Sequence, residues 1–321
     1  MREDASLAKV YGLHLAVVLV LLALNFVLPA YHHGLVARIM VLAVFAMGYN
    51  MLFGYAGLLS LGHAMFFSAG MYGAGLAMTH AGAGVGLSFV AGLVAGAALS
   101  LAVGLLALRT SGVAFMIVTM MFAQVFYLLI LYFAAWTGGD QGLVLQHGAR
   151  IATLGSLSFD LTDPTARYMA ALALLAVALF VTLVVVRSRW GRVLIAVREN
   201  EERTRMLGYD TFANKLAATV MSGTIAAAAG AAFALLFGYV GANFATVQYS
   251  ILPLLWVLLG GAATTLGPLI GTVVMYYITD TASSYTSAWL LIVGIALIVL
   301  VLFFPKGIMG TLRKKWLGWL P

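Results

Sequence analysis

The chain has no cysteine among its 321 residues. That excludes disulfides, thiolate zinc sites and cysteine-held iron–sulfur clusters. Charge is almost as scarce: only 8% of residues are Asp, Glu, Lys or Arg, against about 25% in a typical soluble domain. So few charged side chains cannot cover a soluble globule of this size. A soluble enzyme, a disordered chain and a nucleic-acid-binding module are therefore excluded. No Gly-Lys dipeptide occurs, so there is no phosphate-binding P-loop and no ATPase site. The His-Glu-x-x-His and Gly-x-Ser-x-Gly signatures are missing too, as are Asp-rich metal motifs. The chain is expected to hold no metal and no cofactor of its own. Carboxylates are nearly absent from the apolar runs, with Asp280 the one candidate near the end of a span. Proton- or sodium-driven transport usually keeps such groups inside the membrane, so it is disfavoured.

What the sequence does contain is apolar length. Hydrophobic residues make up 64% of it, and the mean hydropathy is +1.06. A spanning helix needs about 20 apolar residues. The runs are too long for barrel strands and lack their alternation, so helices remain. The expected fold is a polytopic all-α transmembrane bundle of about ten spans, one domain over residues 1–321. The run from Tyr11 to about Ala30 is interrupted by Asn25 and Pro29 and lacks a small-x-small cleavage site, so it is expected to be a retained first span. Further spans are expected at about Leu35–Phe53, on to Met78, Leu87–Leu108, Val113–Ala135, Tyr168–Val186, Leu216–Tyr239, from Ile251, on to Thr279, and Ser287–Phe304. Two Gly-rich stretches, Gly54–Ala64 and Gly260–Pro268, break helices at membrane depth, where irregular backbone is tolerated only inside protein or along a cavity. Each contains Leu-Gly with a tyrosine ten residues after that glycine (Tyr72 and Tyr277), which hints at an internal duplication. The six methionines and aromatics between Met65 and Met78 are expected to pack.

Net charge is +7. With ten spans, one face holds Arg2, Lys9, Arg109, seven basic residues between Arg187 and Lys215, and Lys306, Arg313, Lys314 and Lys315. That is fourteen of the 17 Lys and Arg residues. By the positive-inside rule this face, with both termini, is cytoplasmic. The segment 136–167 then faces outward. Basic residues dispersed beside membrane ends are topogenic and imply no nucleic-acid partner.

The loop 187–215 is longer and more charged than a connector requires. It predicts one helix from about Arg192 to Leu207, stopped by Gly208. On charge alone, a solvated helix on the membrane surface reads equally well. Ser188-Arg189-Trp190-Gly191-Arg192, Ala196-Val197-Arg198-Glu199-Asn200-Glu201 and Leu207-Gly208 resemble the branched-chain amino acid permease family of ABC importers. So do Gly54-Tyr55-Ala56-Gly57-Leu58-Leu59-Ser60-Leu61-Gly62-His63-Ala64, Thr137–Leu143, Gly260-Gly261, Leu266-Gly267-Pro268 and Phe304-Pro305-Lys306-Gly307. The loop between spans six and seven looks like the LivM-type subunit. Two departures stand out: Arg203-Thr204 replaces a small pair, and Ala263 stands where the family often has glycine.

The resemblance implies a bacterial inner-membrane permease subunit. Its partners would be a LivH-type permease, two cytoplasmic ATPases that bind ATP and Mg, and a periplasmic binding protein. Arg198, Glu199, Asn200, Glu201, Glu202 and Gly208 would couple to an ATPase, with the helix acting as a rigid rod. Ser60, Gly62, His63, Gly260, Gly261 and Gly267 are candidates for the pathway; His63 is either a pathway group or hydrogen-bonded to a neighbouring helix. Asp140, Asp160 and Asp163 are candidates for binding-protein docking. Urea, short amides and aromatic acids are alternative cargoes, and an ion-coupled secondary transporter or a membrane enzyme would be a different class.

Overall fold

The computed structural model describes residues 2–154, 157–286 and 306–315, with isolated positions 288, 291, 294, 295, 298, 302 and 303 between them. The expected span Ser287–Phe304 therefore lies largely outside the described residues. Among the described residues, six helices are long and apolar enough to cross a membrane. They belong to α1 (Arg2–Val27), α2 (Ala30–Asn50, continued by a π-helical turn over Met51–Tyr55), α4 (Val85–Ala107), α5 (Val113–Tyr132), α7 (Pro164–Arg187) and α10 (Thr211–Phe237). The expected third, eighth and ninth spans are shorter or less apolar helices that adjoin the glycine breaks: α3 (Ala64–His80), α11 (Val247–Gly260) and α12 (Gly267–Tyr285). Tyr72 falls on α3 and Tyr277 on α12, each on the helix that follows its break.

The centre of the bundle is α2, α3, α4 and α10. Lipid tails are as apolar as leucine, so association rests on close backbone packing rather than on expulsion of water. The sequence supplies small residues for this. A Cβ on Gly230 of α10 would collide with the Phe67 carbonyl of α3, and one on Gly70 would collide with Ala227. Ser222 donates to the Gly48 carbonyl at 2.6 Å, tying α10 to α2. Met65, Phe66, Phe67, Met71, Tyr72 and Met78 are all buried, as packing residues should be. By contrast α1 is mostly exposed and packs on α7.

The two ends of the bundle differ. At one end lie α6 (Ala134–Thr137) and two small ribbons. In one, β1 (Leu143–Val144) pairs with β4 (Tyr239–Val240); in the other, β2 (Ile151–Leu154) pairs with β3 (Leu157–Asp160). These strands are a minor departure from an all-α chain. At the other end α8 (Arg189–Glu199), α9 (Glu201–Met206) and α13 (Gly307–Lys315) cap the bundle.

Candidate functional site

The two glycine breaks meet. Asn50, at the end of α2, donates from Nδ2 to the Thr264 carbonyl and accepts from the Ala263 N–H at Oδ1, both at 2.9 Å. One buried side chain thus satisfies a donor and an acceptor that the second break leaves outside any helix. Gly54 lies so close to Asn50 and Ala263 that a Cβ there would collide with both. Ser250 of α11 accepts from the Ala64 N–H at 2.9 Å, which fixes the start of α3. Within the first break, Tyr49 donates to the Ser60 carbonyl at 3.0 Å, and Ser60 Oγ accepts from the Gly62 N–H at 3.3 Å. Ser60, Gly62 and Gly261 therefore sit in two adjoining, buried, irregular segments, and Gly260 and Gly267 are the buried helix ends that flank the second.

Ala263 is the only non-glycine residue with positive φ among the described residues, at 56°. The left-handed region costs an L-residue about 1–2 kcal/mol. That is the physical reason a glycine is the easier residue at this position.

His63 is fully buried among Phe45, Tyr49 and Phe66, with ring centres 5.1–5.8 Å away. Neither ring nitrogen has a hydrogen-bond partner among the described residues. The hydrogen-bonded alternative is therefore not met among the described residues, where aromatic rings surround the imidazole.

A cavity of about 810 Å³ opens where the breaks face the charged loop. Phe53, Gly54 and Gly57 line it from the first break, and Ala262, Ala263 and Thr264 from the second. Arg198, Lys306 and Arg313 also line it, with Leu258 and Gly310, and the wall holds no carboxylate among the described residues. Arg198 donates to the Gly54 carbonyl at 2.5 Å, a charge-assisted bond into the π-turn. Its other arm meets Glu199 at 3.0 Å. Gly57 has φ +73°, and a Cβ on it would press against the Arg198 side chain.

The charged loop is two helices where one was expected. Asn200 is extended (φ −160°, ψ 101°), and its Oδ1 accepts from the Arg203 N–H at 2.8 Å. An N-cap starts a new helix, so the rod from 192 to 207 is broken at its middle. Leu194 and Val197 of α8 are buried, which seats α8 on the bundle. Glu201 turns inward, 2.7 Å from the nearly buried Lys215 and 3.4 Å from Arg205. Partial burial pushes its carboxyl upward, but the hydrogen bond and charge of Lys215, with Thr211 and Arg205, outweigh it and hold the group below the usual glutamate range. Glu199, Asn200 and Glu202 are exposed. Beyond them Met206, Leu207 and Tyr209 are exposed apolar side chains around Gly208 (φ +89°).

At the far end, Asp140 is exposed. Asp163 caps α7 by accepting from the Ala166 N–H at 2.9 Å. Asp160 accepts from the hydroxyl and N–H of Thr162 at 2.6 and 2.8 Å. These bonds hold its carboxyl below the usual range. The structure does not bring these three acids into one cluster with the breaks.

Two contributors escaped sequence reasoning. Asn50 gives no local signal, because its partners lie more than 200 positions away. His14 of α1 is the other: Nδ1 lies 2.8 Å from the Val10 carbonyl and Nε2 lies 2.7 Å from Thr265 Oγ1. A carbonyl only accepts, so in the neutral ring Nδ1 donates and Nε2 accepts from the threonine hydroxyl. The first helix is thereby pinned to the second break.

A family model described as branched-chain amino acid transport system / permease component matches residues 32–302. The high-affinity branched-chain amino acid transport system permease protein LivM of Escherichia coli (strain K12) is 28% identical over 300 residues, covering 86% of this chain and 69% of that protein. LivM of Salmonella typhimurium (strain LT2) is 27% identical over 336 residues, covering 97% and 78%. No solved structure matches the chain. With most of its length under the family model and its helical bundle broken at the quoted motifs, the chain belongs to the branched-chain amino acid transport permease family.

Proposed function

We propose that this chain is a membrane permease subunit of an ABC importer for branched-chain amino acids, and that it carries work from partner ATPases to a pathway at the two glycine breaks. The observation that carries this reading is the bond from Arg198, on the charged loop, to the Gly54 carbonyl, inside a cavity lined by both breaks. Anything that moves α8 moves the backbone of the first break, and Asn50 carries that displacement to the second. Two seated elements joined by short hydrogen bonds transmit a shift better than a flexible connector would. The loop end is the cytoplasmic one, because the basic residues concentrate there.

In this reading the face offered to an ATPase is Glu202 with Met206, Leu207 and Tyr209, all exposed. Glu201 and Arg198 hold the loop to its own bundle. Exposed ion pairs are worth only about 0–1 kcal/mol, so the apolar patch supplies affinity and Glu202 the register. A second permease of LivH type, two ATPases and a periplasmic binding protein complete the assembly. Glu202→Lys combined with Leu207→Glu tests this. The chain is expected to insert and to keep its permease partner, while the ATPases are lost from co-purification. Unchanged ATPase recovery would refute the docking face.

A further inference from the structure

We infer that the end of the bundle opposite the charged loop carries a subsite for one zwitterionic α-amino acid, with Arg38 and Arg167 receiving the α-carboxylate and Asp280 the α-ammonium. A cavity of about 220 Å³ lies there, where the ends of α2, α7, α10 and α12 meet. Tyr31, Arg38, Arg167, Phe237, Tyr276 and Asp280 all line it. It is smaller than the roughly 300–1,000 Å³ of sites for drug-sized ligands, which suits a single amino acid.

The charges at this site are set apart rather than paired. None of the three forms a salt bridge among the described residues. Arg38 donates only a long bond, 3.4 Å, to the Tyr276 hydroxyl. Arg167 donates to the Thr162 carbonyl at 2.9 Å, and its Nε is buried with no partner. Both guanidinium groups lie over Phe237, 5.1 and 5.7 Å from the ring centre. A guanidinium held over a ring face keeps N–H donors free for a carboxylate. Asp280 accepts from the Tyr31 hydroxyl at 2.6 Å through Oδ2, and Oδ1 has no partner among the described residues.

A simpler role for arginines beside the C-terminus of α10 is to satisfy its last carbonyls. Arg150 takes that role, donating to the Leu236 carbonyl at 3.5 Å. Arg38 and Arg167 make no such bond among the described residues. A plain anion would meet Asp280 with like charge, and a plain cation would meet two guanidinium groups. A zwitterion matches both, and the remaining wall of glycine and leucine accepts an apolar side chain.

This inference rests on the importer reading, so its test separates the two. Radiolabelled L-leucine is bound at equilibrium to the purified permease–ATPase complex without the binding protein. Leucine is competed with 4-methylpentanoate, which lacks the ammonium, and with 3-methylbutylamine, which lacks the carboxylate. The intact complex is expected to favour leucine at least tenfold over either. Asp280→Asn is expected to weaken leucine at least tenfold and to erase its advantage over the acid. Arg38→Gln with Arg167→Gln is expected to erase the advantage over the amine. Arg38→Lys, which keeps the charge, is expected to weaken binding less and serves if the double variant does not assemble. ATP-driven leucine uptake with the binding protein is measured in parallel. Uptake present with no saturable binding, or with binding unchanged in the variants, overturns the subsite alone. No uptake by the intact assembly overturns the importer reading and the subsite with it.

Discussion

At the scale of the residue, the site depends on a few side chains that satisfy broken backbone. Asn50→Leu keeps the side chain's branching but leaves the part-buried Ala263 N–H and the buried Thr264 carbonyl without partners. At about 1–3 kcal/mol for each unsatisfied group, the two together are expected to cost about 2–6 kcal/mol and to lower the melting temperature of the purified complex. Ala263→Gly is expected to be neutral or stabilising in the same assay, because relief of the left-handed strain outweighs glycine's entropy cost of about 0.5–1 kcal/mol. Ala263→Val, β-branched at that φ, is expected to be clearly worse. The sequence drew attention to Ala263 as a departure and to His63 as a polar group in a break. It could not reveal that Phe45 and Tyr49 join Phe66 around His63, because those two rings come from α2.

At the scale of the element, the charged loop is where reading and structure diverge. The apolar positions Val193, Ile195, Ala196 and Val197 predict one helix over 192–207, but of these only Val197 is buried, together with Leu194, while Ile195 and Ala196 are exposed. The break was still written in the chain. Asn200 followed by Glu201 and Glu202 is an N-cap with an acidic first turn, a signal that the continuous charge run obscures. Lys215 then holds α9 through Glu201. A carboxylate held below its ordinary range contributes stability above its unfolded value and loses it as the pH falls through the folded one. The amides of α9 are therefore expected to be protected from hydrogen exchange near neutral pH and to lose that extra protection as the pH is lowered past the ordinary glutamate value of 4.5. Lys215→Met is expected to remove the extra protection at neutral pH. Equal protection in the variant would show that the pair does not order the element.

At the scale of the whole molecule, composition and glycine placement made the helical bundle and its two breaks legible. Six described helices have the length and apolarity to cross a membrane. The shortfall from ten lies partly at the breaks, where α3 and α11 are 17 and 14 residues long. What local pattern cannot carry is the meeting of distant segments. Arg198 and Gly54 are 144 positions apart, and Asn50 and Thr264 are 214 apart. These contacts join a charged loop and two glycine stretches into one connected network, and they tie Arg198 to the bundle.

The central claim, that motion of the loop reaches the breaks through Arg198, is tested most directly by Arg198→Gln in the reconstituted transporter, with ATP hydrolysis and leucine uptake measured on the same vesicles. The account predicts that the ATPases still associate and hydrolyse ATP while uptake per ATP falls at least tenfold. Uptake per ATP equal to that of the unaltered protein would contradict it.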